Sequence, residues 1–151
     1  MNKYIGGLIL AFLMAGCTNQ DPAEHLDHLN GYWEIERVEF SKDSIREFKI
    51  NENVDFIDIK DGTGFRKKVR PEFDGSYTVT NDEEKVVAKI EEGKLNLYYT
   101  TPFDSWKETV IMADEDKLSI KNNRGIIYHY QRFTPLLSDY EEKKQRKHEV
   151  K

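Results

Sequence analysis

The chain has 151 residues, 34% of them charged and 12% aromatic, with a formal net charge of −5 and a single cysteine. That length fits one domain, and the acid excess excludes a duplex nucleic-acid binder and a domain held to an anionic membrane by charge alone, both of which need a basic face. A lone thiol excludes an internal disulfide and a cysteine-based zinc site, so the folded body has to rest on an apolar core to which large aromatic rings contribute.

Met1-Asn2-Lys3 is a short positive start, and Tyr4 to Met14 is an almost unbroken apolar run. The run falls well short of the roughly 20 residues of a membrane-spanning helix and has the form of a secretory leader. Residues 1–16 therefore stand apart from the fold, and their removal takes away Lys3 and no acid. The run ends in Met14-Ala15-Gly16-Cys17, which resembles the bacterial lipobox: an aliphatic residue, two small residues, then cysteine. Met14 stands where leucine is commonest. The resemblance implies cleavage before Cys17, diacylglycerol on its sulfur and a further acyl chain, such as palmitate, on the new amino group. Each buried methylene adds about 0.8 kcal/mol, so several chains hold where one does not. A lipid-anchored protein of the cell envelope is the expectation. Thr18 is not the aspartate that retains some lipoproteins at an inner membrane, which favours the outer membrane where the host has one.

Residues 17–30 are polar and read as a lipidated tether, with a short helix from Pro22 to Leu29 capped by Asp21. His25 and His28 would share a face of that helix. Two histidines do not complete a metal site, so they read as solvated side chains and no metal is expected.

Residues 31–135 read as a succession of short strands separated by turns. Gly31 to Phe40 starts with Trp33 and Ile35 on one parity and switches to Val38 and Phe40, which predicts a bulge near Glu36 and Arg37. Strands Ile45–Ile50 and Val54–Ile59 follow. Asp61-Gly62 is a hairpin turn, and Phe65, Lys67 and Val69 alternate after it. Asp74-Gly75 turns into Tyr77 and Val79, and Asn81 to Glu84 reads as a loop. Val86 to Ile90, Leu95 to Tyr99, Trp106 to Met112, Leu118 to Ile120 and Ile126 to Phe133 complete the series. Lys67 and Glu108 lie between apolar residues of their own parity. Each is either a buried polar group that needs a partner or the sign of a bulge. No helical period interrupts the body. Consecutive hairpins make neighbouring strands antiparallel, and closure removes the exposed edges. The fold class is therefore all-β: a small antiparallel up-and-down meander barrel of about 8–10 strands. Residues 136–151 form a charged tail with almost no apolar face, expected to be disordered or a frayed helix.

Leu29-Asn30-Gly31-Tyr32-Trp33-Glu34-Ile35 resembles the Gly-x-Trp opening of lipocalins and the wider calycin group, and Tyr128-His129-Tyr130-Gln131-Arg132-Phe133 resembles their final strand. With its leader and tether, the body looks like the short lipocalin-like lipoproteins of Bacteroidetes-type bacteria, over about residues 29–135. The resemblance implies that Arg132 packs across Trp33 and closes the barrel floor. A guanidinium over an indole gains about 0.5 to 2 kcal/mol, whatever the family. Alternation puts Tyr128, Tyr130 and Arg132 on one face. If that face points inward it offers two hydroxyls and a guanidinium, a set suited to a carboxylate head group. The other reading of Arg132 is a latch and nothing more. Fatty-acid-binding relatives carry Arg-x-Tyr in their last strand, the reverse of the order here.

Catalytic signatures are missing from the sequence. There is no phosphate loop, Gly-x-Ser-x-Gly elbow or His-Glu-x-x-His, so neither an enzyme nor a cofactor is expected. Two functions remain. One is a tethered barrel that binds a small apolar, amphipathic or carboxylate ligand. The other is an envelope scaffold with a filled barrel and a protein partner whose identity the sequence does not give.

Overall fold

The computed structural model describes residues 21–135. Asp21 caps helix α1 (Pro22–Asp27) by accepting from Ala23 N at 3.0 Å, and Pro22 sits in the first turn, where its missing N–H has no partner to lose. The helix stops two residues before the predicted end at Leu29. Nine strands follow among the described residues: β1 (Gly31–Ser41), β2 (Ser44–Glu47), β3 (Val54–Lys60), β4 (Thr63–Pro71), β5 (Tyr77–Glu91), β6 (Lys94–Thr100), β7 (Ser105–Ala113), β8 (Lys117–Asn122) and β9 (Ile127–Arg132).

Strands β3 to β9 pair in chain order. β1 lies between β3 and β9, so eight antiparallel strands close a ring, and β2 is appended to β1. Tight turns drive the meander. Asp61 and Gly62, and again Glu92 and Gly93, all have positive φ, the backbone form whose twist matches that of the flanking strands. The predicted bulge is present: the register between β1 and β9 slips between Ile35 and Arg37.

One edge of β1 is shared. Gly31 to Trp33 pair with β3, and Arg37 to Ser41 pair with β2. Asn51 Nδ2 covers the gap by donating to Ile35 O at 2.8 Å, and Phe48 N donates to Glu36 O at 2.8 Å. The alternating strand directions put α1 and turns 61–62, 92–93 and 114–116 at one end of the barrel. Loops 48–53, 72–76, 101–104 and 123–126 lie at the other. The apolar core fills the α1 end and the middle, from Leu26, Leu29 and Trp33 to Leu97, Ile120 and Tyr130.

Three sequence expectations are corrected. Residues 81–84 are not a loop: β5 runs unbroken through them, and the register against β4 jumps from Lys67↔Glu83 to Val69↔Val79, leaving a bulge at 80–82. The inward side of β4 carries Arg66, not Lys67. Lys67 pairs with Glu83 at 2.8 Å and lies over the Phe65 ring, whereas Arg66 meets Glu108 across the interior. Residues 22–29 are also more than a tether. His25 is buried, with its Nδ1 accepting from Ala113 N at 3.1 Å, and Leu29 is fully buried in the core. The helix plugs the barrel, so His25 is not a solvated side chain.

The hairpin β4–β5 bends over the outside of the wall. The Tyr77 ring stacks on Tyr32 with centroids 4.4 Å apart, and Tyr32 rests on Phe56 at 4.7 Å. Tyr77 and Tyr32 belong to strands three sheet positions apart, a span of about 14 Å at normal strand spacing. Ring contact over that span requires the hairpin tip to fold across β3, and the bulge at 80–82 supplies the bend.

Candidate functional site

The closed end is organised by Trp33. Its indole is fully buried and its Nε1 donates to Leu29 O at 2.8 Å. The Arg132 guanidinium carbon lies 3.7 Å from the centroid of that ring. Arg132 Nη1 donates to Asn30 O at 2.7 Å, Nη2 to His28 O at 3.0 Å, and Nε to Glu115 O at 2.8 Å. Partial burial draws the Arg132 pKa down, against the opposing pull of Asp116 and Asp114. Gly31 makes the arrangement possible: its φ is +123°, and a Cβ there would come within 2.6 Å of Arg132 Nη1. The Gly-x-Trp spacing thus has a local physical reason. One residue must leave room for the guanidinium edge while the next but one supplies the surface under its face.

The sequence groups Arg132 with Tyr128 and Tyr130 around a carboxylate, and the structure separates them. Arg132 directs its donors to backbone carbonyls at the floor. Tyr128 and Tyr130 sit higher in the interior, where Tyr128 Oη accepts from Asn122 Nδ2 at 3.4 Å and Tyr130 is buried.

The cation inside the barrel is Arg66. Its Nε donates to Glu84, and its Nη1 reaches Tyr99 Oη and Glu108 Oε2, each at 3.3 Å. Its guanidinium carbon is 4.2 Å from the Tyr99 ring centroid, and Tyr99 stacks on Trp106 with centroids 5.2 Å apart. Burial alone would lower the Arg66 pKa, but Tyr99, Glu108, Tyr130 and Asp55 together outweigh it and raise it. Burial pushes the Tyr99 and Tyr130 hydroxyls well above the ordinary tyrosine value, so both stay protonated. Asp55, nearly buried, pairs with Lys68 Nζ at 2.6 Å.

Two groups in this interior are left over. Arg66 Nη2 and the Tyr130 hydroxyl carry no hydrogen bond among the described residues. No fully buried polar side-chain atom is without a partner in the described structure, so both groups keep some accessible surface. The sequence reading missed Arg66 because it took the other parity of β4 as inward. Glu108 was the available signal: a carboxylate at an inward position of β7 needs a cation, and Arg66 lies across the barrel from it. Cys17, the expected leader 1–16 and the expected charged tail 136–151 lie outside the described residues. Among the described residues no group of three or more His, Cys, Asp or Glu side chains is placed to hold a metal ion.

A closed antiparallel meander with a Gly-x-Trp opening, its tryptophan latched by an arginine of the last strand, defines a barrel of the calycin type. A model of the lipocalin-like domain matches residues 29–120, and the chain belongs to that family. Among solved structures it is similar to a lipocalin-like protein from Bacteroides uniformis, at 10% identity and a TM-score of 0.45, over 70% of this chain and 99% of that one. No curated protein sequence matches the chain.

Proposed function

We propose that the protein is a binding module, lipid-anchored through Cys17 to an envelope membrane, whose barrel receives one small amphipathic molecule. The observation that carries this reading is the pair of unengaged groups inside the barrel, Arg66 Nη2 and the Tyr130 hydroxyl. A mostly apolar interior with a few placed polar groups is how proteins orient small ligands. Glu84 and Glu108 already neutralise Arg66. A neutral acceptor such as a carbonyl or hydroxyl therefore suits the site better than the carboxylate that the sequence offered as one reading. The apolar part of the ligand would lie on Trp106 and Tyr128, which are only partly buried around the core.

The test is native mass spectrometry of the full chain extracted from its host, with thermal shifts for fatty alcohols, monoacylglycerols and fatty acids. A bound small molecule, and a shift by the neutral lipids that Tyr130→Phe weakens, is the expected outcome. No bound molecule and no shift by any of these lipids would end the reading. Anchoring is tested separately, since Cys17→Ser should release the chain from the membrane fraction.

A specific observation also favours the scaffold reading. Ile50, Phe73 and Phe103 are 90%, 94% and 97% exposed, each on a different loop at the end away from α1. Large apolar side chains on three loops of one end are the kind of surface that meets a partner. Crosslinks to one defined envelope protein that disappear in Phe73→Ser/Phe103→Ser would support it.

A further inference from the structure

The outer wall of the barrel carries a second constellation, separate from the interior. Ser119 on β8, His129 on β9 and Glu39 on β1 lie in line across three neighbouring strands. Ser119 Oγ is 2.9 Å from His129 Nδ1, and His129 Nε2 is 3.4 Å from Glu39 Oε2. All three side chains point outward, because their strand neighbours Leu118, Ile120, Tyr128 and Tyr130 point in.

The chemistry of the line fixes its direction. An ionised carboxylate only accepts hydrogen bonds, so Nε2 of the imidazole must carry the hydrogen that faces Glu39. In the neutral ring Nδ1 is then a lone pair, to which the Ser119 hydroxyl donates. A hydroxyl aimed at a neutral imidazole that is itself held by a carboxylate is the arrangement that activates serine as a nucleophile. Ser119 and His129 also line an open groove of about 450 Å³, walled on one side by Phe48 and Lys49 from the segment after β2. That volume is in the range of small-molecule sites. Arg37 and Lys49 border the groove without an ion-pair partner among the described residues, and Lys117 borders it while paired to Glu36 at 3.0 Å. Cations at that position can stabilise the oxyanion of an acyl-transfer step.

We propose that this groove is a nucleophilic site that cleaves small carboxylic esters. Ser119 Oγ attacks the ester carbonyl while its proton passes to His129 Nδ1. The bond to the leaving oxygen breaks, and that oxygen takes the proton and departs as the alcohol. Water then attacks the acyl-serine and gives its proton to the same nitrogen. The acid leaves as Ser119 Oγ recovers the proton. Ser119 is the catalytic nucleophile and His129 the base, and Glu39 is a positioning residue that keeps the imidazole in the productive tautomer.

The experiment treats the full-length chain in detergent with a fluorophosphonate probe and, in parallel, p-nitrophenyl acetate. Adducts are located by peptide mass spectrometry, and folding of each variant is checked by its thermal melt. The expected result is one adduct on Ser119, absent in Ser119→Ala and slowed about 100-fold in His129→Gln, the scale of general-base assistance. Glu39→Gln should slow labelling at an unchanged melting temperature, because its amide permits the other imidazole tautomer, and Glu39→Asp should restore it. If His129→Gln fails to fold, the Glu39 pair decides. No adduct on Ser119 in the folded protein, or labelling that neither the His129 nor the Glu39 substitutions affect, overturns the proposal. The barrel-binding reading does not depend on the outcome: Tyr130 borders the groove as well, but neither it nor Arg66 takes part in the acyl-transfer steps.

Discussion

At the closed end Arg132 gives its donors to backbone carbonyls and its face to Trp33, and each of its three nitrogens donates. In the upper interior Arg66 also lies on an aromatic ring, but its partners are the side chains of Glu84, Glu108 and Tyr99, and one nitrogen stays unengaged. The first arginine fastens main chain to main chain, so it holds α1, the start of β1 and the 114–116 turn in one piece. The second sits among side chains and ties no main-chain segments together. Two guanidiniums on aromatic faces in one barrel thus have different uses, and what they donate to decides which is which.

The comparison breaks most directly at Trp33. Trp33→Ala removes the ring under Arg132 and leaves a cavity at the base of the core, for an expected loss of about 3–5 kcal/mol, measured by denaturant unfolding. A loss below about 1 kcal/mol, within ordinary surface-substitution scatter, would show that the floor does not hold the closed end.

Arg66→Met should cost about 3 kcal/mol, because Glu108 would be left buried without its cation. Pairing it with Glu108→Leu should recover most of that loss, while any lipid-induced thermal shift stays absent. If the single and double variants are equally unstable, the interior network is not the ion pair described.

A smaller effect separates the ends by pH. The folded state holds Tyr99 and Tyr130 protonated by burial, with their pKa values raised. The unfolded chain ionises them near pH 10. Their contribution is complete below that value and declines as pH climbs past it, since only the unfolded state can release the protons. Alkaline titration of the melting temperature should fall above about pH 10, and Tyr130→Phe should blunt the fall.

The smallest effect is expected at the loop tips. Phe73→Ser and Phe103→Ser remove side chains that touch almost nothing, so stability should change by no more than about 0.5 kcal/mol in a thermal melt. A larger change would mean that the loops pack on the barrel.

The meander, the bulge after Ile35 and the Trp33–Arg132 contact were readable because each rests on a local rule: alternation, a parity switch, and adjacency of first and last strands in a closed ring. The interior site was not. Choosing the inward face of β4 from Phe65 and Val69 is reasonable on hydropathy, but Phe65 lies beside Phe56, which joins Tyr32 and Tyr77 in an aromatic cluster on the outer wall. A second apolar surface outside the barrel reverses the pattern that reveals a core. The plugging role of His25 was hidden for a related reason. A polar segment with one histidine reads as linker until the carbonyl and N–H of Ala113 are known to meet its ring. Ser119, His129 and Glu39 are 10 and 90 positions apart in their contacts, a juxtaposition that only strand order and register create.

The latch of Arg132 onto Asn30 spans 102 positions of the chain. The ribbon from β3 to β8 can zip up hairpin by hairpin as the chain is made, but Trp33 stays uncovered until β9 arrives. Such distant contacts place the domain among slow folders, and in the interval two unpaired strand edges invite association with other chains. A ribosome product truncated before Ile127 would be an open sheet rather than a smaller barrel. β9 therefore acts as the quality mark of a finished barrel: only a chain translated through Arg132 can hide its first tryptophan.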